Sequence, residues 1–291
     1  VDRRQRQMCV RDRINTIQSV KMAKSKFTRE NVKSPILKKV LIRIDYDGAS
    51  SIDSLIIKLK NTWNHYFQNY QKVTKNNFNI NVTDSALQSK TISIPDPELK
   101  IIHRFTSCKI GESSTYMDIS DNFAYIDIVV GENYVGTEKY INIMSEFIKS
   151  LLASDSFIVL SRVAIRKLDV IKKTANEDPD TILEVPISST YNDNNRTQLK
   201  KQYKDTILLK DVDSVVNIVR DLTYEKDKND KIMRRIILDM DIYKQTPQKI
   251  AIDQQTPITR IKDILNKQLN EPLFGLFVET FKETYIDDFM I

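Results

Sequence analysis

The sequence predicts an α+β protein whose mostly antiparallel strands form two helix-on-sheet halves, with C-terminal helices. A series of strand patterns closed by an amphipathic helix occurs twice, first up to Ala153 and again from Phe157 to the end. The 291 residues are 41% hydrophobic and 29% charged, which is typical of a folded globular chain. The longest apolar runs have only a few residues, so we predict no membrane-spanning helix. We place the halves at residues 22–154 and 155–291.

Alternating and helical patterns define the elements of the first half. Val40, Ile42 and Ile44 alternate with more polar residues, so residues 36–46 predict a strand, which ends at an Asp-Gly turn. Apolar residues at three- and four-residue steps predict a helix over residues 51–70. The remaining predicted elements are a weak strand and loop over 71–97, strands over 99–108, 114–120 and 123–130, and a helix over 137–153 with Thr137 as its N-cap.

The second half begins with a long strand pattern over Phe157–Ile171. In residues 212–222 the spacing of the apolar residues favours a helix, whereas the high content of β-branched residues favours a strand. Both interpretations stay open. A C-terminal helical hairpin is expected, with Pro257 at the start of its first helix and Pro272 as the interruption. The other predicted features are an insertion over 172–202, a short strand Thr206–Leu209, a turn Asp227–Asp230, a strand Ile232–Tyr243, and a buried helix face with Phe274, Phe277, Phe281 and Phe289.

Residues 1–21 need a separate interpretation, because they carry six of the 45 cations and two of the 39 anions. A basic arm for nucleic acid is one interpretation. We favour a non-native extension, with Met22 as the start, because Arg3–Arg13 (RRQRQMCVRDR) resembles a translated transposon-end sequencing adapter in which Val10 is normally Ile. Without the extension the net charge falls from +6 to +2, which weakens the case for nucleic acid. Cys108 then remains as a lone cysteine, which predicts a reducing, cytoplasmic compartment.

Three segments carry a family resemblance. Pro35–Tyr46 is an opening strand, Arg162–Ile171 has the sequence RVAIRKLDVI, and Leu238–Asp241 has the sequence LDMD before helices with a central Phe. Together they resemble a sporadically distributed prokaryotic family of conserved hypothetical proteins that share an R-V-x-x-R-x-x-[ND] strand. The resemblance implies no established activity, and the patchy distribution of the family suggests a defence or mobile-element setting. In fuller form the family strand resembles R-V-G-L-R-Y-I-N-R-I. The departures here are Ala164 for the Gly, Lys167 for the Tyr, Asp169 for the Asn and Val170 for the second Arg.

The strand over residues 157–171 also carries our candidate ligand site, which consists of Arg162, Arg166 and Asp169. The two arginines lie four residues apart in a predicted strand, so they share a half-apolar face and need anionic partners. An external partner would be a phosphate, a nucleotide or an acidic peptide. Internal partners are available at Asp127, Asp239 and Asp241.

Asp239 and Asp241 define the alternative function, that of an enzyme. They lie two residues apart in a predicted strand, so both point to one face and could bind Mg²⁺. A metal-dependent nuclease or phosphotransfer enzyme uses such carboxylates. Two aspartates at this spacing are also explained by a strand with one solvent-exposed face, which requires no catalytic or metal-binding role.

Other side chains of catalytic or metal-binding type are few. His65, His103 and Cys108 are too few for a structural zinc site, and His103 and Cys108 fall on opposite faces of a strand. The sequence contains no phosphate-binding glycine motif. We therefore predict no catalytic residue, no metal and no cofactor. The expected function is that of a soluble binding or interaction module for a protein partner or a small anionic ligand, with a homodimer as an option and nucleic acid less favoured.

Overall fold

The computed structural model has an α+β fold built on a nine-stranded antiparallel sheet, which confirms the predicted α+β class and antiparallel pairing. It describes residues 36–49, 51–76, 99–174, 181–184, 200–226, 229, 231–282 and 285. The strands are β1 (Leu37–Asp47), β2 (Phe67–Asn76), β3 (Leu99–Cys108), β4 (Tyr116–Ser120), β5 (Phe123–Val129), β6 (Val159–Thr174), β7 (Lys200–Leu209), β8 (Ser214–Lys226) and β9 (Ile232–Gln245). Their order in the sheet is β2-β3-β4-β5-β1-β6-β9-β8-β7.

The helices are α1 (Asp53–Thr62), α2 (Thr137–Ser154), α3 (Pro247–Ile250), α4 (Ile258–Leu265) and α5 (Glu271–Thr280). A 3₁₀ turn, Trp63–His65, follows α1, and a π-helical segment, Asn266–Asn270, joins α4 to α5. Among the described residues, no helix combines the length and the apolar character needed to cross a membrane.

The chain divides into two compact units, each built from more than one segment. The first unit comprises Leu41–Ala164 and Lys244–Lys262. The second unit comprises Val1–Val40, Ile165–Tyr243 and Asp263–Ile291.

The core of the first unit lies between its strands and helices α1 and α2. Ile42 and Ile44 of β1 are fully buried, whereas the residues between them are partly exposed, as the alternating pattern predicts. The Trp63 ring lies 5.7 Å from that of Phe105 on β3 and 6.1 Å from that of Phe147 on α2. The helices therefore cover the sheet face that carries Phe105, and they leave the other face for polar side chains.

The predicted helix over residues 51–70 is wrong in its last third. Helix α1 ends at Thr62, and β2 pairs with β3 from Phe67↔Cys108 to Asn76↔Leu99. Phe67 and Tyr70 fit the helical spacing only by coincidence. Both rings instead contact Phe105 of β3, at 6.0 and 5.4 Å. The residues that pair with Phe67 and Tyr70 lie more than thirty residues away in sequence, so local periodicity could not reveal them.

Two glycines of the first unit have positive φ angles. Gly48 follows β1 at φ +86°, and a Cβ atom there would lie 2.1 Å from the carbonyl oxygen of Phe157. Only glycine therefore fits at this close approach of two backbones. Gly136, at φ +88°, occupies the N-cap of α2, so the prediction of Thr137 as N-cap is wrong. Thr137 is the first helical residue, and its hydroxyl is hydrogen-bonded to that of Tyr134 at 2.7 Å.

Three antiparallel strands, β7, β8 and β9, form much of the second unit. Residues 212–222, for which helix and strand stayed open, contribute most of β8, as their β-branched content favours. The pairing of β8 with β9 continues to Lys226↔Ile232. Most of the predicted turn Asp227–Asp230 lies outside the described residues. Strand β7 begins at Lys200 and is longer than predicted. Most of the predicted insertion over 172–202 lies outside the described residues, although Leu183 forms a bridge with Phe281.

Pro272 alters the C-terminal helix without breaking it, contrary to the predicted interruption. Proline has no N–H group and cannot donate to the carbonyl four residues earlier, that of Gln268. The preceding segment, Asn266–Asn270, adopts the wider π-helical turn. The Ser214 hydroxyl lies 3.4 Å from the Gln268 carbonyl oxygen and 3.2 Å from that of Val212, and it donates to one of them at a time. Residues 258–280 are consequently helical throughout.

The Phe-rich face of α5 is partly buried, as the sequence suggests. Phe281 is 1% exposed and lies 4.9 Å from Phe277 and 6.0 Å from Tyr285, measured between ring centres. Phe274 and Phe277 are half-buried, and Phe289 lies outside the described residues.

Candidate functional site

Arg166, the arginine predicted to need an anionic partner, is paired with Asp239 in the second unit. Its Nε donates to Asp239 Oδ1 at 2.7 Å, and its Nη2 donates to Oδ2. This is the bidentate arrangement in which a guanidinium and a carboxylate bind each other most strongly. The pair raises the pKa of Arg166, first through the hydrogen bond and then through the charge of Asp239.

The ion pair limits metal binding by Asp239 and anion binding by Arg166. Both oxygens of Asp239 accept from Arg166, so the positive guanidinium disfavours a metal ion at this carboxylate. The charge of Arg166 is offset by Asp239, and Asp241 adds a further negative field at the same guanidinium. A free anion would therefore meet little net positive charge here, although the Arg166 side chain is 52% exposed.

Asp169, the third predicted site residue, lies on the opposite face of β6 from Arg166. The two are three residues apart in a strand, and Asp169 is only 2% exposed. Its Oδ2 has no hydrogen-bond partner among the described residues. Burial raises the pKa of Asp169 to about 7, while Lys167, buried beside it, acts in the opposite direction. Asp169 is therefore a buried carboxyl group rather than part of an arginine site.

Arg162 belongs to the first unit, where it is half-buried on β6. The other predicted partner, Asp127, also lies in the first unit and accepts a hydrogen bond from Tyr116 at 3.0 Å. The structure thus joins Arg166 to Asp239, and it does not bring Asp169 onto the same face.

A buried carboxylate that the sequence did not point to lies in the first unit. Asp118 on β4 is 0% exposed and accepts from Arg104 at 2.6 and 2.7 Å and from the Tyr125 hydroxyl at 2.6 Å. The strand register explains the meeting, because Asp118 lies directly opposite Arg104 on β3 and opposite Tyr125 on β5. Three strands therefore present one connected polar group on the face away from α1 and α2.

Aromatic rings and a second arginine surround this group. The Arg104 guanidinium lies 4.4 Å from the centre of the Tyr116 ring, and that of Arg43 lies 5.3 Å from the Phe123 ring. Phe123 stacks on Tyr125 at 5.9 Å. Arg43 also donates to Asp45 at 2.8 Å. We call the surface formed by Arg43, Arg104, Tyr116, Phe123 and Tyr125 the tyrosine–arginine face.

The electrostatics of the face argue against proton-transfer chemistry. Burial, followed by the hydrogen bond to Asp118, raises the pKa of the Tyr125 hydroxyl. The hydrogen bond to Asp118 likewise raises the pKa of Arg104. Both groups therefore keep their protons throughout the physiological range, so they act as fixed hydrogen-bond donors rather than as acids or bases.

A cavity of about 350 Å³ lies in the first unit, where β1 ends beside the β4–β5 turn. Its size is at the lower end of the range for small-molecule pockets, about 300–1,000 Å³. The lining residues are Tyr46, Asp47, Gly48, Ala49, Ile101, Ser120, Asp121 and Asn122. Asn122 of the cavity lining immediately precedes Phe123 of the tyrosine–arginine face in the chain.

His103 and Cys108 are buried side chains whose contacts fit a role in holding the fold together. His103 is 5% exposed, is hydrogen-bonded through Nδ1 to the Tyr70 hydroxyl at 2.8 Å, and lies 4.0 Å from Asp53. Burial, followed by the charge of Lys72, lowers the pKa of His103, and burial raises that of the Cys108 thiol. Across the described ranges, no group of three His, Cys, Asp or Glu side chains is arranged to hold a metal ion.

No protein-family model, curated protein or solved structure matches the chain. The family resemblance seen in the sequence therefore stays a prediction. The fold and the sites define an α+β protein with an antiparallel sheet and a polar, aromatic sheet face.

Proposed function

We propose that the chain is a non-enzymatic binding module that holds a basic segment of a partner protein on its tyrosine–arginine face. The observation that carries the proposal is the Arg104–Asp118–Tyr125 group, which fixes aromatic and cationic side chains in place on a sheet face. Side chains that are already ordered lose little conformational entropy when a partner binds.

The composition of the face supports a protein partner. Tyrosine and arginine are enriched among the residues that carry most of the binding energy in protein interfaces, and phenylalanine is enriched in interfaces generally. Arg43 and Asp45 are 38% and 22% exposed, so a bound segment can reach them. Tyr116, Phe123 and Tyr125 are half-buried, which leaves part of each ring available for contact.

The charges on the face favour a basic partner over a nucleic acid or a small anion. Each arginine of the face is already paired with a carboxylate, Arg43 with Asp45 and Arg104 with Asp118. Two further aspartates, Asp47 and Asp121, line the cavity at the end of β1. The two arginines are balanced by Asp45 and Asp118, and the cavity adds negative charge, so a phosphate backbone would be repelled.

The enzyme alternative, a metal-dependent nuclease or phosphotransfer enzyme using Asp239 and Asp241, has less support. The bidentate contact from Arg166 occupies the first of these carboxylates. A magnesium ion bound there would lie close to the positive guanidinium of Arg166, which disfavours its binding.

The setting of the module is also part of the proposal. Cys108 is a buried free thiol, which suits a reducing cytoplasmic compartment. The prokaryotic defence or mobile-element setting rests on the resemblance in the sequence. We further propose that the chain comprises two similar helix-on-sheet halves, and that a homodimer is one form it takes.

A phage library of random peptides, panned on the full chain, tests the proposed function. We expect selected peptides to be rich in arginine and lysine. Their affinity should fall about 30-fold in a Phe123→Ala/Asp45→Asn variant, because loss of one interface hot spot costs about 2 kcal/mol and the Asp45 charge attracts the basic segment. The matched control is Ile57→Ala/Lys58→Ala on the exposed side of α1, where Ile57 is 62% exposed. The proposal would be contradicted if no peptides were selected or if the selected peptides were acidic. It would also be contradicted if both variants lost affinity equally.

A further inference from the structure

We infer that the cavity at the end of β1 receives an arginine side chain, and that this side chain comes from the bound partner. Two carboxylates, Asp47 and Asp121, line a cavity that also contains apolar surface from Ile101 and Ala49. This combination matches the two parts of an arginine side chain, which has an apolar stem and a charged planar head.

The cavity is built from the backbone rather than from loose side chains. The Tyr46 hydroxyl donates to the Ser120 carbonyl, and the Tyr46 N–H donates to the Asn122 carbonyl at 3.1 Å. The Ser120 hydroxyl donates to the carbonyl of Ile101 at 3.1 Å. The wall beyond β1 approaches the Phe157 backbone so closely that it requires glycine at position 48. The walls formed by Tyr46, Ser120 and the Asn122 backbone are therefore held in place before any ligand arrives.

Charge complementarity identifies the occupant. Asp47 and Asp121 are exposed, and within the described part of the chain neither lies in a salt bridge. A cationic head would supply the missing partner. Ile101, at 41% exposed, offers apolar surface to the stem. A guanidinium is less strongly hydrated than an ammonium and can bind carboxylates through two hydrogen bonds, so arginine is favoured over lysine.

This inference rests on the proposed function only for the source of the arginine. The pocket itself can be tested without a partner, so its failure and the failure of the proposed function are distinguishable. If peptides bind the face but the isolated arginine probe does not bind the cavity, the inference is wrong and the proposed function stands.

The test is calorimetric titration of the full chain with N-acetyl-arginine amide. N-acetyl-citrulline amide, which has nearly the same shape without the charge, is the matched ligand control. We expect the arginine probe to bind with a Kd on the order of 1 mM, and the citrulline probe at least tenfold more weakly. Asp121→Asn and Asp47→Asn should each weaken the arginine probe several-fold. Glu132→Gln, an exposed carboxylate outside the cavity lining, should leave it unchanged.

Three results would overturn the inference. Equal binding of the two probes would show that charge does not matter. An unchanged affinity in Asp121→Asn and Asp47→Asn would put the probe elsewhere. Displacement of the arginine probe by millimolar Mg²⁺ or Ca²⁺ would identify a divalent-cation site instead.

Discussion

We expect Asp118→Ala to lower the free energy of unfolding by about 3–5 kcal/mol. The carboxylate is fully buried and accepts three hydrogen bonds, two from Arg104 and one from Tyr125. Its removal leaves a partly buried guanidinium and a phenol without their acceptor, and the cost of leaving a buried charge uncompensated exceeds the value of the pair itself. Urea denaturation followed by circular dichroism measures the change.

Asp45→Ala is the matched control for this prediction. Asp45 is also paired with an arginine of the face, Arg43, but that pair is substantially exposed. We expect a loss below about 1 kcal/mol, because water screens such pairs and solvates what remains. Similar losses for Asp118→Ala and Asp45→Ala would show that the buried group does not order the face.

The second large effect is a pH dependence that arises from Asp169. We expect the unfolding free energies of the wild-type chain and of Asp169→Asn to diverge by about 4 kcal/mol between pH 4 and pH 8, with the variant gaining relative to the wild type. Burial raises the pKa of Asp169 from 3.8 to about 7. The folded state therefore favours the protonated carboxyl. The stability that this preference contributes is fully present below about pH 4 and is lost as the pH rises through 7.

Asn cannot ionise, so the Asp169→Asn variant does not lose stability at this position as the pH rises. Chemical denaturation at several pH values gives the difference between the two proteins. Glu132→Gln, at an exposed carboxylate, serves as the control and should show a flat difference. A flat difference for Asp169→Asn as well would mean that Asp169 is solvated, contrary to its burial.

Local patterns in the sequence were sufficient for most elements of the fold. The alternation of Ile42 and Ile44 predicted β1, and helix α2 follows from its apolar face. The predictions of secondary structure were wrong where residues distant in sequence determine the local conformation. The helical spacing of Phe67 and Tyr70 was overridden because β3 offers them a strand partner. Pro272 was expected to break a helix, but a π-helical turn precedes it, and the affected carbonyl lies 3.4 Å from the hydroxyl of Ser214, more than fifty residues earlier.

The candidate sites likewise combine features that local sequence predicts with features that depend on residues distant in sequence. A strand period of two already places Arg166 and Asp169 on opposite faces, so their separation could have been foreseen. The partnership of Arg166 with Asp239 was among the predicted options. The Arg104–Asp118–Tyr125 group could not be found, because each residue comes from a different strand. Only the register of β3, β4 and β5 aligns them.

The most direct test of the central claim is to locate a bound basic peptide on the full chain. A selected peptide that carries a benzophenone photo-crosslinker would be bound and irradiated, and the cross-linked residues would be identified by mass spectrometry. We predict cross-links within residues 43–49 and 116–127, which form the tyrosine–arginine face and the adjoining cavity. Cross-links confined to β7, β8 and β9 of the second unit would contradict the assignment of the binding face.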